Sequence, residues 1–338
     1  MLPPRTYAAV ERRVPGLATR VVDHGFRACG LVLGGALAVP IAWMARTGVG
    51  TSECLEHGSL PLPVHFYSPV PDLDDLERRD VWARRSELPG VRFAPEAQAA
   101  YLRKVGERYG RECAWPAESA GDPRVFFTEN GQFGFGCAAA LHCIVRERTP
   151  RHVVEIGSGN SSLVLLAALE LNAREGSPAS GYTVVDPSPS PLLGGGRSGP
   201  TEVLAKRAEL LEPEFFDRLE RDDVLFIDSG HTVRIGGDVN FLILDVLPRL
   251  NPGVIVHFHD IGLPYEYPKT YATNPRFRSL WTEAYLLQAF LACNQDFDVL
   301  LALSYLMTDR ASDFRAAFPH YDPARHRTGS GSFWITRR

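Results

Sequence analysis

Beyond residue 150 the sequence alternates short apolar segments with helix-patterned ones, and this alternation narrows the fold more than any other feature. Segments 152–156, 182–186, 224–228 and 254–260 are each dominated by Val, Ile, Leu, Phe or Tyr. Between them, 161–172, 203–211 and 239–250 carry helical spacing, and a further helix is predicted at about 280–293. Strands that read as near-continuous apolar runs belong to a parallel sheet buried on both faces. An apolar run over 297–306 and a last strand at 332–336 close the pattern. In open sheets of this kind ligands sit at the carboxyl ends of the strands, so the residues that follow each strand become the candidates for chemistry.

The first strand runs into Glu155-Ile156-Gly157-Ser158-Gly159-Asn160-Ser161-Ser162. Glycines in a strand-to-helix turn let backbone N–H groups approach a ligand closely. A dinucleotide fingerprint requires a third glycine where Ser162 stands, which argues against a pyrophosphate cofactor. The acid two positions before the first glycine, Glu155, suits the ammonium group of an amino-acid ligand. Gly157, Ser158, Gly159 and Ser161 are read as the cofactor turn. Asp186 ends the second strand, where a carboxylate hydrogen-bonds a ribose diol; the loop 174–181 accounts for its larger than usual distance from the glycines.

Asp228 and Asp260 end the next two strands. Adjacent strand-end carboxylates suit one Mg²⁺ or another divalent metal, with positions left for a substrate oxygen and water. His231, three residues after Asp228, is the candidate general base, because an imidazole titrates near neutrality. Asp228 is thus assigned to catalysis, cofactor and metal together. The competing expectations are an N-cap or turn acid for Asp228 and a structural histidine for His231, while His257 and His259 are read as strand side chains packed on opposite faces.

Together, Glu155-Ile-Gly157-Ser-Gly159, Phe226-Ile-Asp228-Ser-Gly-His231, Leu247-Pro-Arg-Leu250-Asn-Pro-Gly253 and His259-Asp260 resemble the class I S-adenosylmethionine-dependent methyltransferases, in the group that includes catechol-type and macrolide-sugar O-methyltransferases. The resemblance covers about 125–338. It implies a Rossmann-like α/β sheet, mostly parallel with an antiparallel last strand, S-adenosyl-L-methionine as cofactor and a small-molecule hydroxyl as acceptor. It also implies Glu155 on the methionine part, Asp186 on the ribose, Asp228 with Asp260 on a metal, and His231 as base. Segments 65–72 and 281–288 resemble parts of a bacterial subgroup of such enzymes. Where catechol-type enzymes place a further metal ligand, after the fifth-strand acid, this chain has Ile261. The glycine- and aromatic-rich stretch 126–136 and Tyr265-Glu266-Tyr267 are expected to wall or cover the acceptor, with plain aromatic packing as the alternative.

The N-terminal third does not belong to this pattern. Residues 1–60 read as a helical extension and 61–124 as a Pro-rich arm followed by a helical cap, with a helix at 96–109 started by Pro95. The uncharged run 28–45 lies at the lower length limit for a membrane span. Gly30, Gly34, Gly35 and Pro40 weaken it as a helix, leaving two uses open: a helix covered by protein, including a second copy of the chain, or contact with a membrane. Lys and Arg number 36 against 40 Asp and Glu, a net charge of −4 over 338 residues, which excludes nucleic acid as the principal partner. Six scattered cysteines without a C-x-x-C pair point to reduced thiols and a cytoplasmic protein. Two other functions share these residues: a metal-dependent hydroxylase on the same fold, and a non-catalytic, membrane-docked scaffold.

Overall fold

The computed structural model describes residues 34–194, 199–274, 278–326 and 331–338. It divides into two units, Met1–Arg79 and Asp80–Arg338. In the first, residues 34–47 are helical; residues 28–33 of the apolar run lie outside the described residues. Leu37, Val39, Ile41 and Trp43 on this helix are exposed, and among the described residues no helix is long and apolar enough to cross a membrane. Further on, the Asp72 carboxylate caps the short helix Leu73–Arg78 by accepting from the backbone N–H groups of Asp74 and Asp75 at 3.0 and 3.1 Å.

The second unit is built on a seven-stranded sheet: β1 (His152–Ile156), β2 (Gly181–Val185), β3 (Glu202–Leu204), β4 (Val224–Ile227), β5 (Ile255–Phe258), β6 (Phe297–Ala302) and β7 (Phe333–Arg337). Their spatial order is β3-β2-β1-β4-β5-β7-β6, and only β7 runs antiparallel to its neighbours. The chain reverses its direction of winding between β1 and β4. That reversal opens a crevice at the carboxyl ends of these two strands, where Gly157 and Asp228 stand. At the opposite end Asp223 pins the strands together: one carboxylate oxygen accepts from the backbone N–H groups of Arg151 and His152, both at 2.8 Å, and the other from that of Glu220 at 2.9 Å.

Four helices matter for the site: α1 (Pro95–Tyr109), α2 (Phe135–Arg148), α3 (Asn160–Arg174) and α4 (Glu283–Leu291). Helix α2 is buried on nearly every side from Phe135 to Arg146, so its row of small residues Cys137-Ala138-Ala139-Ala140 serves close packing in the core. Helix α1 packs against α2 and against the helix Ala311–Ala317. A Cβ on Gly106 would stand 2.5 Å from that of Ala317, so only glycine allows the two helices to approach this closely. These contacts draw residues 80–124 into the sheet unit. Residues 80–124 thus belong to the same compact unit as the sheet.

The helix expected over 203–211 is not formed. Thr183–Val185 on β2 pair in register with Glu202–Leu204, and the ladder claims Val203 and Leu204 as an edge strand before a single 3₁₀ turn at Ala208–Leu210. Tertiary pairing overrides local helical spacing here.

Candidate active site

Gly157 follows β1 with φ 87°, a left-handed conformation that side chains disfavour. A Cβ there would lie 2.4 Å from the carbonyl oxygen of Asp228. The two strand ends are thus held as close as backbone allows, with the Gly157 N–H donating to Val185 and the Asp228 N–H to Ile156, both at 2.9 Å. Next in the turn, Ser158 donates its hydroxyl to the Asp186 carboxylate at 2.5 Å and accepts the N–H of Ser190 at 2.9 Å. The Gly159 N–H is taken by the Ser162 hydroxyl at 3.1 Å, which fixes the entry into α3.

Glu155 lies beneath this turn and is wholly enclosed. Its carboxylate accepts the hydroxyls of Ser161 and Ser162, each at 2.7 Å, and that of Tyr182. Burial pushes it up to about 7 despite these three donors. Glu155 and Ser161 therefore meet each other, with Ser161 also reaching the cavity described below. A carboxyl raised by folding favours its neutral form, so the stability it confers is complete below its ordinary value of 4.5 and lost as the pH rises to about 7. Between pH 4 and pH 8 wild-type protein is expected to lose roughly 3 kcal/mol relative to Glu155→Gln in denaturant unfolding. Parallel pH curves for the two proteins would contradict this.

At the end of β4 a cluster of acids and imidazoles converges. His231 Nδ1 lies 2.8 Å from Glu283 Oε2, and its Nε2 lies 3.3 Å from Asp228 Oδ1 and 3.8 Å from Asp260 Oδ2. His259 Nδ1 lies 3.7 and 3.5 Å from the same two aspartate oxygens. His231 and Asp260 both have left-handed backbones, φ 55° and 56°, a strain of about 1–3 kcal/mol each that surrounding structure must hold. For His231 the hold is visible: the N–H groups of Thr282 and Glu283 donate to its carbonyl at 2.9 and 3.2 Å. Burial alone would lower the His231 imidazole, but Asp228 and Glu283 outweigh it and raise it to about 10. Burial would raise the Asp228 carboxyl; the charge of His259 and the bond from His231 instead bring it to about 2. His259 is likewise raised against its burial by Asp228 and Asp260, whereas burial holds His257 well below the ordinary value and so neutral. Being two apart on a strand, His257 and His259 share a face, with ring centroids 5.8 Å apart. His257 stacks on Phe226 at 4.0 Å in the core, while His259 reaches the cleft.

Two cavities meet at this cluster. A smaller one, about 400 Å³, is lined by Gly157, Ser158, Asp186, Arg207, Asp228 and Asp238. A larger one, about 840 Å³, is lined by Phe133, Ser158, His231, His259, Asp260 and the aromatic residues Tyr265, Tyr267, Tyr271 and Trp281. Ser158 and Asp228 border both, so a two-part ligand could run from one to the other past Asp228. Of the stretch 126–136, Gly131, Gln132 and Phe133 reach the larger cavity. Phe126 instead packs into the core against Trp115.

The divalent metal expected on Asp228 and Asp260 gains no support: the next residue, Ile261, is buried and offers no donor, and among the described residues no group of three or more His, Cys, Asp or Glu is placed to hold a metal ion. Glu283, on the other hand, is a member of the cluster that motif reading did not assign. It lies 52 residues from His231 at the start of α4, and no local spacing joins the two.

Residues 154–261 match a family model described as a methyltransferase domain. An uncharacterized protein of Archaeoglobus fulgidus is 28% identical over 182 residues, 51% of this chain and 80% of that protein. Among solved structures, the O-methyltransferase TomG of Streptomyces achromogenes, involved in tomaymycin synthesis and in complex with SAM, is 16% identical with a TM-score of 0.34, covering 78% of this chain and 95% of its own. The SAH-bound methyltransferase PaMTH1 of Podospora anserina is 15% identical with a TM-score of 0.37, covering 80% and 99%. The matched segment contains Glu155, the glycine turn, Asp186, Asp228, His231 and Asp260, and runs from β1 through β5 of the sheet described above. Over residues 154–261, from β1 to just past β5, the chain is therefore similar to a methyltransferase domain.

Proposed function

We propose that the protein transfers the methyl group of S-adenosylmethionine to a hydroxyl of a small metabolite, sugar or natural product held in the larger cavity. The observation that carries this reading is the meeting of the two cavities at Asp228, directly beside the imidazole of His231. Gly157, Ser158, Gly159 and Asp186 would hold the cofactor: the glycine turn presents backbone close to the ligand, and the Asp186 carboxylate faces the smaller cavity, where a ribose diol is its natural partner. Glu155 would act from beneath, fixing Ser161 and Ser162 and so the start of α3. When bound, the sulfonium supplies an electrophilic methyl group.

The chain's own residues do the rest. Tyr265, Tyr267, Tyr271 and Trp281 offer faces on which a ring-shaped acceptor stacks, and enclosing it excludes water. Asp228, held at about 2 and so ionised, favours positive charge at the junction of the cavities. His231 Nε2 would receive the proton that the acceptor hydroxyl gives up as its oxygen is methylated. Because the imidazole is raised to about 10, its neutral form is scarce at pH 7. No step requires a metal, and full turnover in EDTA is expected. The reading is tested with methyl-labelled cofactor and a panel of phenols, sugars and polyols. Label and the mass of one methyl group in a product support it, and a gain of oxygen instead would establish the hydroxylase alternative.

A further inference from the structure

We propose that Glu283 is a positioning residue for His231, locking the imidazole so that Nε2 faces the junction of the two cavities. This rests on the reading of His231 as proton acceptor. The first residue of α4 grips the histidine at both ends: the Glu283 carboxylate bonds ring Nδ1 at 2.8 Å, and its backbone N–H, with that of Thr282, holds the carbonyl oxygen. Such a grip fixes both the ring's rotation and the strained backbone from which it springs. Glu283 is 1% exposed, so its bond to Nδ1 is made away from water, where a charge-assisted hydrogen bond is short and strong. The second carboxylate oxygen accepts the Ser229 hydroxyl at 3.3 Å, tying Glu283 to the loop that carries Asp228. On the open side, the Trp281 ring lies 4.3 Å from the imidazole and limits its swing. With Nδ1 committed to Glu283, Nε2 is turned toward Asp228 and Asp260, at 3.3 and 3.8 Å, on the side where the cavities meet.

The geometry predicts a spectroscopic signature that a merely structural role would not produce. In the intact cofactor-free protein, the His231 Nδ1–H proton should give a far-downfield, slowly exchanging proton NMR resonance, assigned by its loss in His231→Asn. In Glu283→Gln, where the acceptor is neutral, that resonance should move upfield or vanish, while the affinity for S-adenosylhomocysteine stays within about threefold. Should the Gln variant fail to fold, Glu283→Asp, which keeps the charge but withdraws it by one methylene, should show the same upfield movement. Absence of the resonance from wild-type protein, or its persistence unchanged in either variant, would overturn the assignment. Failure of every acceptor to gain a methyl group, with the resonance behaving as described, would overturn the functional reading and leave the Glu283–His231 pairing standing.

Discussion

Replacing Gly157 with alanine is expected to abolish measurable binding of S-adenosylhomocysteine and to lower the thermal stability of the fold. Two costs coincide at this position. A left-handed backbone costs a residue with a Cβ roughly 1–2 kcal/mol, and the added methyl would lie 2.4 Å from the carbonyl oxygen of Asp228. That oxygen belongs to backbone held by the β1–β4 ladder, so it cannot give way as a side-chain tip would. Relief comes only from separating the ends of β1 and β4, which deforms the turn and moves Asp228. A combined cost of about 3 kcal/mol corresponds to more than a hundredfold in affinity. Calorimetric titration beside a thermal melt measures both effects; an alanine variant that binds within a few-fold of wild type would show that the close approach plays no part in holding the ligand.

The other large effect is expected at His231. His231→Asn should retain binding of S-adenosylhomocysteine and lose methyl transfer by about 10²- to 10⁴-fold, the usual worth of a positioned general base. The pH dependence carries the more specific content. Asp228, Glu283 and Asp260 stand beside this ring, and Asp228 and Glu283 outweigh burial and keep it protonated up to about 10. Wild-type turnover should therefore climb with pH, by close to tenfold per unit, from neutrality toward pH 9. A profile flat across that range, or an asparagine variant with wild-type turnover, would remove His231 from the proton-transfer step. The same sign holds for stability: the ion pairs of His231 contribute fully below its ordinary value of 6.5 and are lost as the pH rises through about 10.

Much of this site was legible because parallel α/β sheets gather chemistry at strand ends, and strand ends can be read from apolar runs. Gly157, Asp186, Asp228, His231 and Asp260 all lie where that rule places them, and both cavities open among them. What escaped reading was whatever depends on distant chain. Glu283 reaches His231 only because α4 starts beside the loop after β4. Likewise, Val203 and Leu204 joined the sheet because β2 offered an unpaired edge, a fact absent from their own spacing. The enclosure of Glu155 could not be inferred from its motif, since the serines and Tyr182 that satisfy it become its neighbours only when α3 packs over β1 and β2. The metal expectation gains no support of this kind: two carboxylates at adjacent strand ends look like a cation site, but among the described residues no group of three or more His, Cys, Asp or Glu is placed to hold a metal ion.

The central claim is that the cleft at the ends of β1, β2 and β4 holds S-adenosylmethionine. Isothermal titration of the full-length protein with S-adenosylhomocysteine tests it most directly. The structure predicts saturable binding at one site per chain, weakened at least tenfold by Asp186→Ala and lost in Gly157→Ala. Absence of binding by wild-type protein whose circular dichroism and cooperative melt show it to be folded would contradict the claim.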